Sequence, residues 1–272
     1  MKIGIFDSGY GGLTILRKIR ALMPEYDYLY LGDNARAPYG PRSFDVIYEY
    51  TLQAVRALLE RDCQIIILAC NTASAKALRS IQQRDLPKLA PERRVLGVIR
   101  PTVEAVPDMT KTGHVGILAT QGTVDSQSYS IELKNLAPDV CASALACPMW
   151  VPLVEYGESE SDGADYFVRE RIETLLACDP QIDTIILGCT HYPLLMPIIR
   201  RHVPDRISIV EQGTYVAASL ANYLQRHPEQ EQPLSRGASC HYLTTERPAT
   251  FSRAAATFLG GTLPDAVQIR ID

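Results

Sequence analysis

The sequence predicts an α/β protein of two similar, doubly wound domains with mainly parallel sheets, related by pseudo-twofold symmetry and enclosing a cleft between them. Short unbroken Ile/Val/Leu runs alternate with amphipathic helical stretches along the whole chain. One run, Ile66-Ile67-Leu68-Ala69-Cys70-Asn71-Thr72, matches Ile185-Ile186-Leu187-Gly188-Cys189-Thr190-His191 position by position. A looser match, Ile3-Gly4-Ile5-Phe6-Asp7-Ser8 with Val115-Gly116-Ile117-Leu118-Ala119-Thr120, precedes it in the same order. Buried strands resemble one another by chance, but two ordered matches at similar separations favour halves that diverged from one unit. A length of 272 residues agrees, since one domain usually holds roughly 100 to 200.

Taken in order, the predicted strands cover 2–6, 28–32, 64–69, 94–98, 114–119, 140–144, 184–188, 208–210 and 240–244. Between them, 43–61 carries Ile47, Tyr50, Ala54 and Leu58 at helical spacing behind Ser43 as N-cap. The stretches 72–84, 165–177, 214–226 and 250–259 also read as helices. In open parallel sheets ligands collect beyond the carboxyl ends of the strands, which is where Asp7, Ser8, Cys70 and Cys189 fall.

Composition excludes several classes. Hydrophobic residues make up 46% and charged ones 21%, as in a globular chain. A net charge of -4 argues against generic affinity for nucleic acid or anionic lipid, so neither is an expected partner. The cluster Arg93, Arg94 and Arg100 reads as solvated surface. No stretch reaches membrane-span length, and the first residues run into a strand without a signal-peptide pattern. Seven scattered cysteines without metal-ligand spacing indicate reduced thiols in the cytoplasm, with neither a disulfide framework nor a metal site.

A lone cysteine is by default a small buried hydrophobe, and Cys63, Cys141, Cys147, Cys178 and Cys240 are read as packing residues. Cys70 and Cys189 differ because they hold the same place in both halves, at a helix start that favours a thiolate. His191 is placed to tune Cys189, whereas His114, His202, His227 and His241 read as structural. Asp7-Ser8-Gly9-Tyr10-Gly11-Gly12 is a Gly-rich turn without a nucleotide-binding pattern; it reads equally as a helix cap or as an acid near a thiol. Ala37-Pro38-Tyr39-Gly40-Pro41 is a turn, and Glu155 a lone acid that is exposed unless the pocket reaches it. Inverting an sp³ carbon by proton transfer needs an acid or base on each face, and two thiols with ordinary pKa near ~8.5 can supply both. A cysteine hydrolase would need one thiol with a His base and an oxyanion hole.

Phe6-Asp7-Ser8-Gly9-Tyr10-Gly11-Gly12-Leu13, Gly32-Asp33 with Pro38-Tyr39-Gly40, Ala69-Cys70-Asn71-Thr72 and Leu187-Gly188-Cys189-Thr190-His191-Tyr192-Pro193 together resemble the glutamate racemases of the aspartate/glutamate racemase superfamily, over roughly residues 2 to 260. That resemblance implies a cytoplasmic enzyme with no cofactor, neither pyridoxal phosphate nor metal. It would interconvert L- and D-glutamate for bacterial peptidoglycan, with glutamate as its small-molecule partner and a homodimer as its assembly. It implies Cys70 and Cys189 as the catalytic acid/bases, assisted by Asp7 and His191. Ser8, Tyr39, Gly40, Asn71, Thr72, Thr120, Thr123, Thr190 and Glu155 become substrate-binding positions, with Glu155 next to His191. The first domain is expected to take 1–97 and 207–272, the second 98–206. One departure is Arg100 in Val98-Ile99-Arg100-Pro101, where the family usually has Glu, so hinge contacts and effector response do not carry over. A racemase of aspartate or another amino acid, and a non-catalytic amino-acid-binding protein on the same fold, are the alternative readings.

Overall fold

The computed structural model describes residues 1–261 and 265–271, and within them ten strands form two sheets in which every pairing is parallel. The first sheet begins with β1 (Lys2–Asp7), β2 (Tyr28–Gly32), β3 (Cys63–Leu68) and β4 (Arg94–Gly97). The second is built from β5 (His114–Ala119), β6 (Cys141–Ala146), β7 (Thr184–Gly188) and β8 (Ser208–Val210). The chain then returns to the first with β9 (Cys240–Thr244) and β10 (Ala266–Gln268). Strand order is β10-β9-β2-β1-β3-β4 in one sheet and β6-β5-β7-β8 in the other. The block β2-β1-β3-β4 therefore recurs as β6-β5-β7-β8, the repeat that the matched cysteine segments foretold.

The central strands β1, β3, β5 and β7 are buried on both faces, because helices cover them and unbroken apolar runs leave no polar face. β6, an edge strand, is the exception, with no fully buried residue. One apolar cluster links Ile3, Ile5 and Ile67 of the first sheet to Leu118, Ile185 and Leu187 of the second, so the two halves share a core.

Two crossovers join them. The first runs from β4 through the helix Ile99–Ala105, the second from β8 through the helix Gln212–Arg226. β8 pairs with β7 over Thr184↔Ser208 to Ile186↔Val210, at the start of the segment expected to return to the first domain. Completing the four-strand unit keeps residues 208–210 with the second sheet.

Three other expectations change. The predicted helix 72–84 is broken into Asn71–Lys76, Leu78–Ser80, a π turn at Ile81–Asp85 and Leu86–Leu89. Pro87 supplies no N–H to the carbonyl of residue 83, and the ladder shifts ahead of it. Ser43 holds the N-cap position of Phe44–Leu59 in extended backbone, yet its side chain makes no capping bond. Cys141 and Cys178 are exposed rather than packed. Arg100 is 64% exposed and pairs with Glu104 on the next helical turn at 3.0 Å. An exposed pair of this kind contributes little, so the departure at 100 changes surface charge and leaves the crossover helix intact.

Candidate active site

The candidate residues of the turn and strand-end motifs lie at or beyond the carboxyl ends of β1, β2, β3, β5 and β7. Phe6 pairs with Leu68, and the amide of Ala69 donates to Phe6 at 2.8 Å, which brings Asp7 and Cys70 side by side. Ala119 pairs with Gly188, which does the same for Thr120 and Cys189.

Cys70 caps the helix Asn71–Lys76, its sulfur accepting from the amide of Ala73 at 3.5 Å and from the Ser8 hydroxyl at 3.2 Å. The residue is 6% exposed. Burial pushes its thiol up to about 12, the Asp7 carboxylate and Cys189 add to that, and the Ser8 and Ala73 donors oppose it. Cys70 is therefore a neutral thiol in the free protein. The two sulfurs lie near enough for charge on one to resist charge on the other.

Cys189 is equally buried but has a different partner. Its sulfur lies 3.9 Å from Nδ1 of His191, whose Nε2 is 3.0 Å from Oε1 of Glu155. Burial alone would depress the imidazole. Hydrogen bonds and charge from Cys189 and Glu155 outweigh it and raise His191 to about 10, so His191 is an imidazolium at neutral pH. Tyr192 anchors this histidine, its hydroxyl donating to the Cys147 carbonyl at 3.3 Å and its ring meeting Trp150 edge-on at 4.8 Å. Glu155 ends the helix Trp150–Glu155, and that helix end sets the acid against His191.

The sign of that shift gives a pH prediction. A histidine raised above its unfolded value of about 6.5 contributes stability that is full below that pH and lost as pH rises through about 10. The melting temperature of the wild-type protein should therefore fall between about pH 6.5 and 10 with a component that His191→Asn lacks. Superimposable pH profiles for the two proteins would show that His191 is not the buried cation.

Asp7 is 1% exposed. Its Oδ2 accepts from the Gly9 amide at 3.0 Å, while Oδ1 is buried with no partner among the described residues. Burial raises this carboxyl, against the pull of His191 and the turn amides. The glycines of the turn let the second half come close: a Cβ on Gly9 would lie 3.4 Å from Glu155 Oε1, and one on Gly11 would lie 2.6 Å from His191 Nδ1. Thus the Asp7–Gly12 turn touches Cys70 through Ser8 on one side and the Cys189–His191 segment on the other.

The remaining candidates meet along the same seam. The Thr72 and Thr120 hydroxyls are 2.9 Å apart, and Thr120 is 3.1 Å from Thr123. The Gly122 amide donates to the Gly40 carbonyl at 3.0 Å, and Thr14 donates to the Thr190 carbonyl at 3.3 Å. Two side chains are committed elsewhere. Tyr39 is buried against Phe6 and Tyr50, with its hydroxyl donating to Asp33, so it offers a ligand only its main chain. The Asn71 amide is taken up by Gln212 and Tyr129. Neither Gln212 nor Tyr129 stands out in the sequence; a single Gln opening an amphipathic helix gives no local signal. Elsewhere, His114 and His202 are spent on Asp179 and Asp165.

Among the described residues no group of three His, Cys, Asp or Glu is arranged to hold a metal, and no helix is long and apolar enough to cross a membrane.

Comparison with known proteins places the chain among racemases. The family model for Asp/Glu/hydantoin racemases matches residues 13–221. A glutamate racemase of Geobacter metallireducens is 38% identical over 271 residues, covering 99% of this chain and 97% of its own. The crystal structure of glutamate racemase isoform RacE1 from Bacillus anthracis superposes with a TM-score of 0.88 at 31% identity, covering 100% of this chain and 97% of that one. The glutamate racemase of Francisella tularensis, solved in complex with D-glutamate, gives 0.87 at 27% identity, with 100% and 98% covered.

Proposed function

We propose, because this chain belongs to the Asp/Glu/hydantoin racemase family, that it is an amino-acid racemase interconverting L- and D-glutamate through two thiols, Cys70 and Cys189, acting on opposite faces of the α-carbon. The observation that carries this reading is the repetition itself. A recurring four-strand unit carries a cysteine just beyond its third strand twice, and Cys70 and the Cys189–His191 segment border the same Gly-rich turn.

The chemistry follows from the unequal settings of the sulfurs. In one direction a thiolate removes the α-proton, the electron pair stays on the α-carbon and its carboxylate, and the opposite thiol delivers its own proton to the other face. Each turnover leaves the protonation states exchanged, and the reverse reaction uses the exchanged pair. Cys70 rests as a thiol with Ser8 bonded to it, which suits the acid. His191, held as a cation by Glu155, is the counter-charge beside Cys189 and suits the base. The unpartnered Oδ1 of Asp7 is the acceptor for the substrate α-ammonium, and the hydroxyls of Thr72, Thr120, Thr123 and Thr190 supply donors for its carboxylates. Glutamate is chosen over aspartate because the full-length relatives are glutamate racemases. D-glutamate made this way would enter bacterial peptidoglycan.

The test is circular dichroism of the purified protein on L-Glu, D-Glu, L-Asp and D-Asp, with no added cofactor and in deuterated water. Solutions of either glutamate enantiomer should lose their optical activity, with label appearing first in the enantiomer formed. Rapid inversion of aspartate with none of glutamate rejects the substrate, and product that keeps the original proton throughout rejects the two-thiol exchange.

A further inference from the structure

Behind the two sulfurs, where both crossovers meet, lies a buried polar cluster that the chemistry above does not use. Gln212, 3% exposed, opens the second crossover helix. Its Nε2 donates to the Tyr129 hydroxyl at 2.7 Å and to Thr102 Oγ1 at 3.0 Å, and its Oε1 accepts from Asn71 Nδ2 at 2.6 Å. The ring closes through Tyr129, whose hydroxyl donates to Asn71 Oδ1 at 2.8 Å, and through Thr102, which donates to the Val98 carbonyl at 2.8 Å. Each polar side-chain atom here has a partner, and one assignment of the protons satisfies these five bonds together.

The ends of this cluster reach both sulfurs. Asn71 directly follows Cys70 and opens the helix that Cys70 caps. Tyr129 packs on Gly188, the residue before Cys189: a Cβ there would lie 3.3 Å from the Tyr129 ring. Val98 and Thr102 belong to the first crossover and Gln212 to the second, so one amide is bonded to both connections and to both halves at once. An apolar residue at 212 would leave the buried Asn71 amide and Tyr129 and Thr102 hydroxyls short of partners, and these groups would rearrange.

We infer that Gln212 is a positioning residue that sets the separation of Cys70 and Cys189 across the cleft, by bonding the residue next to one thiol to the tyrosine packed beside the other. This rests on the two-thiol reading. An acid/base must stand within hydrogen-bond reach of the carbon it serves, and a displacement near 1 Å costs about 10²-fold in rate. Removing the proton from one face needs only one sulfur in place, whereas inversion needs both. Loss of the cluster therefore separates two events that the intact protein couples.

The experiment measures both events in one reaction. In deuterated water, initial rates are taken for deuterium entering recovered L-glutamate, which reports return of a proton to the same face, and for D-glutamate formed, which reports inversion. Their ratio does not depend on how much of the sample is folded. In Gln212→Leu inversion should fall at least about tenfold, with the ratio of exchange to inversion rising by a similar factor. Tyr129→Phe removes the hydroxyl that links Gln212 to Asn71 with little change of volume. It should move the ratio in the same direction, and it decides the matter if Gln212→Leu does not fold. A ratio equal to wild type in the folded variants, whether the rates fall together or not at all, overturns the positioning role. A wild-type protein that inverts no glutamate overturns the functional reading first, and the role of Gln212 with it.

Discussion

Exchanging either Cys70 or Cys189 for serine is expected to lower racemisation by about 10³-fold or more in both directions, while one partial reaction survives in each variant. A serine hydroxyl titrates far above a thiol, so it neither removes the α-proton nor forms the anion that the reverse reaction requires. Inversion uses both sites in every turnover, and the loss is the same whichever one is removed. Elimination of HCl from 3-chloroglutamate asks less: a base takes the α-proton, the electron pair forms the Cα–Cβ double bond, and chloride leaves from Cβ. No proton is delivered to the far face. Each single variant should therefore release chloride from substrates whose α-proton faces the remaining thiol, and not from their α-epimers. Chloride release and circular dichroism on the same preparations give the two rates. Either variant retaining full racemisation, or both losing elimination from every epimer, would contradict the assignment of one thiol to each face.

The thiols were legible in the sequence because duplication writes the same signal twice. An apolar run ending in Cys at 70 would be ordinary packing by itself; its counterpart at 189 makes packing the weaker explanation, and the strand order β2-β1-β3-β4 against β6-β5-β7-β8 is the structural form of that argument. His191 was legible by adjacency. Glu155 was not, beyond a family resemblance, because its 3.0 Å approach to His191 depends on where a separate helix ends. Gln212 and Tyr129 were invisible for the same reason: a polar residue buried among partners 58 or more positions away leaves no periodicity to detect. Asn71 and Tyr39 show the converse, since motif membership marks a position as important without revealing that its side chain serves the scaffold. In the fold, the π turn at Ile81–Asp85 came from competition between a regular ladder and Pro87, and β10 has three residues with a single buried one, too short for any pattern.

The second large effect concerns the seam rather than the chemistry. Gly11→Ala should lower racemisation by about 10²-fold while leaving the protein folded. Gly11 has φ -59° and ψ -33°, right-handed helical values that alanine adopts readily, and at the N-cap of the helix Gly12–Leu22 its replacement by alanine costs only about 1 kcal/mol. Nothing local opposes the methyl group. It would instead collide with Thr190 Oγ1 and Cβ and lie 2.6 Å from His191 Nδ1, all in the segment that carries Cys189. Protein interiors do not compress to absorb such an overlap, so the Cys189 segment must move away from the turn that holds Asp7 and Ser8. Gly163→Ala is the control, since it lies in the helix Asp162–Cys178 with Ser161 Oγ 3.5 Å from the added carbon, an ordinary contact. It should leave the rate unchanged. Racemisation and melting temperature measured on both variants separate the effects. A Gly11→Ala protein as active as wild type would mean that the two halves do not need this close approach, and an unfolded one would mean that the turn serves the core before it serves the cleft.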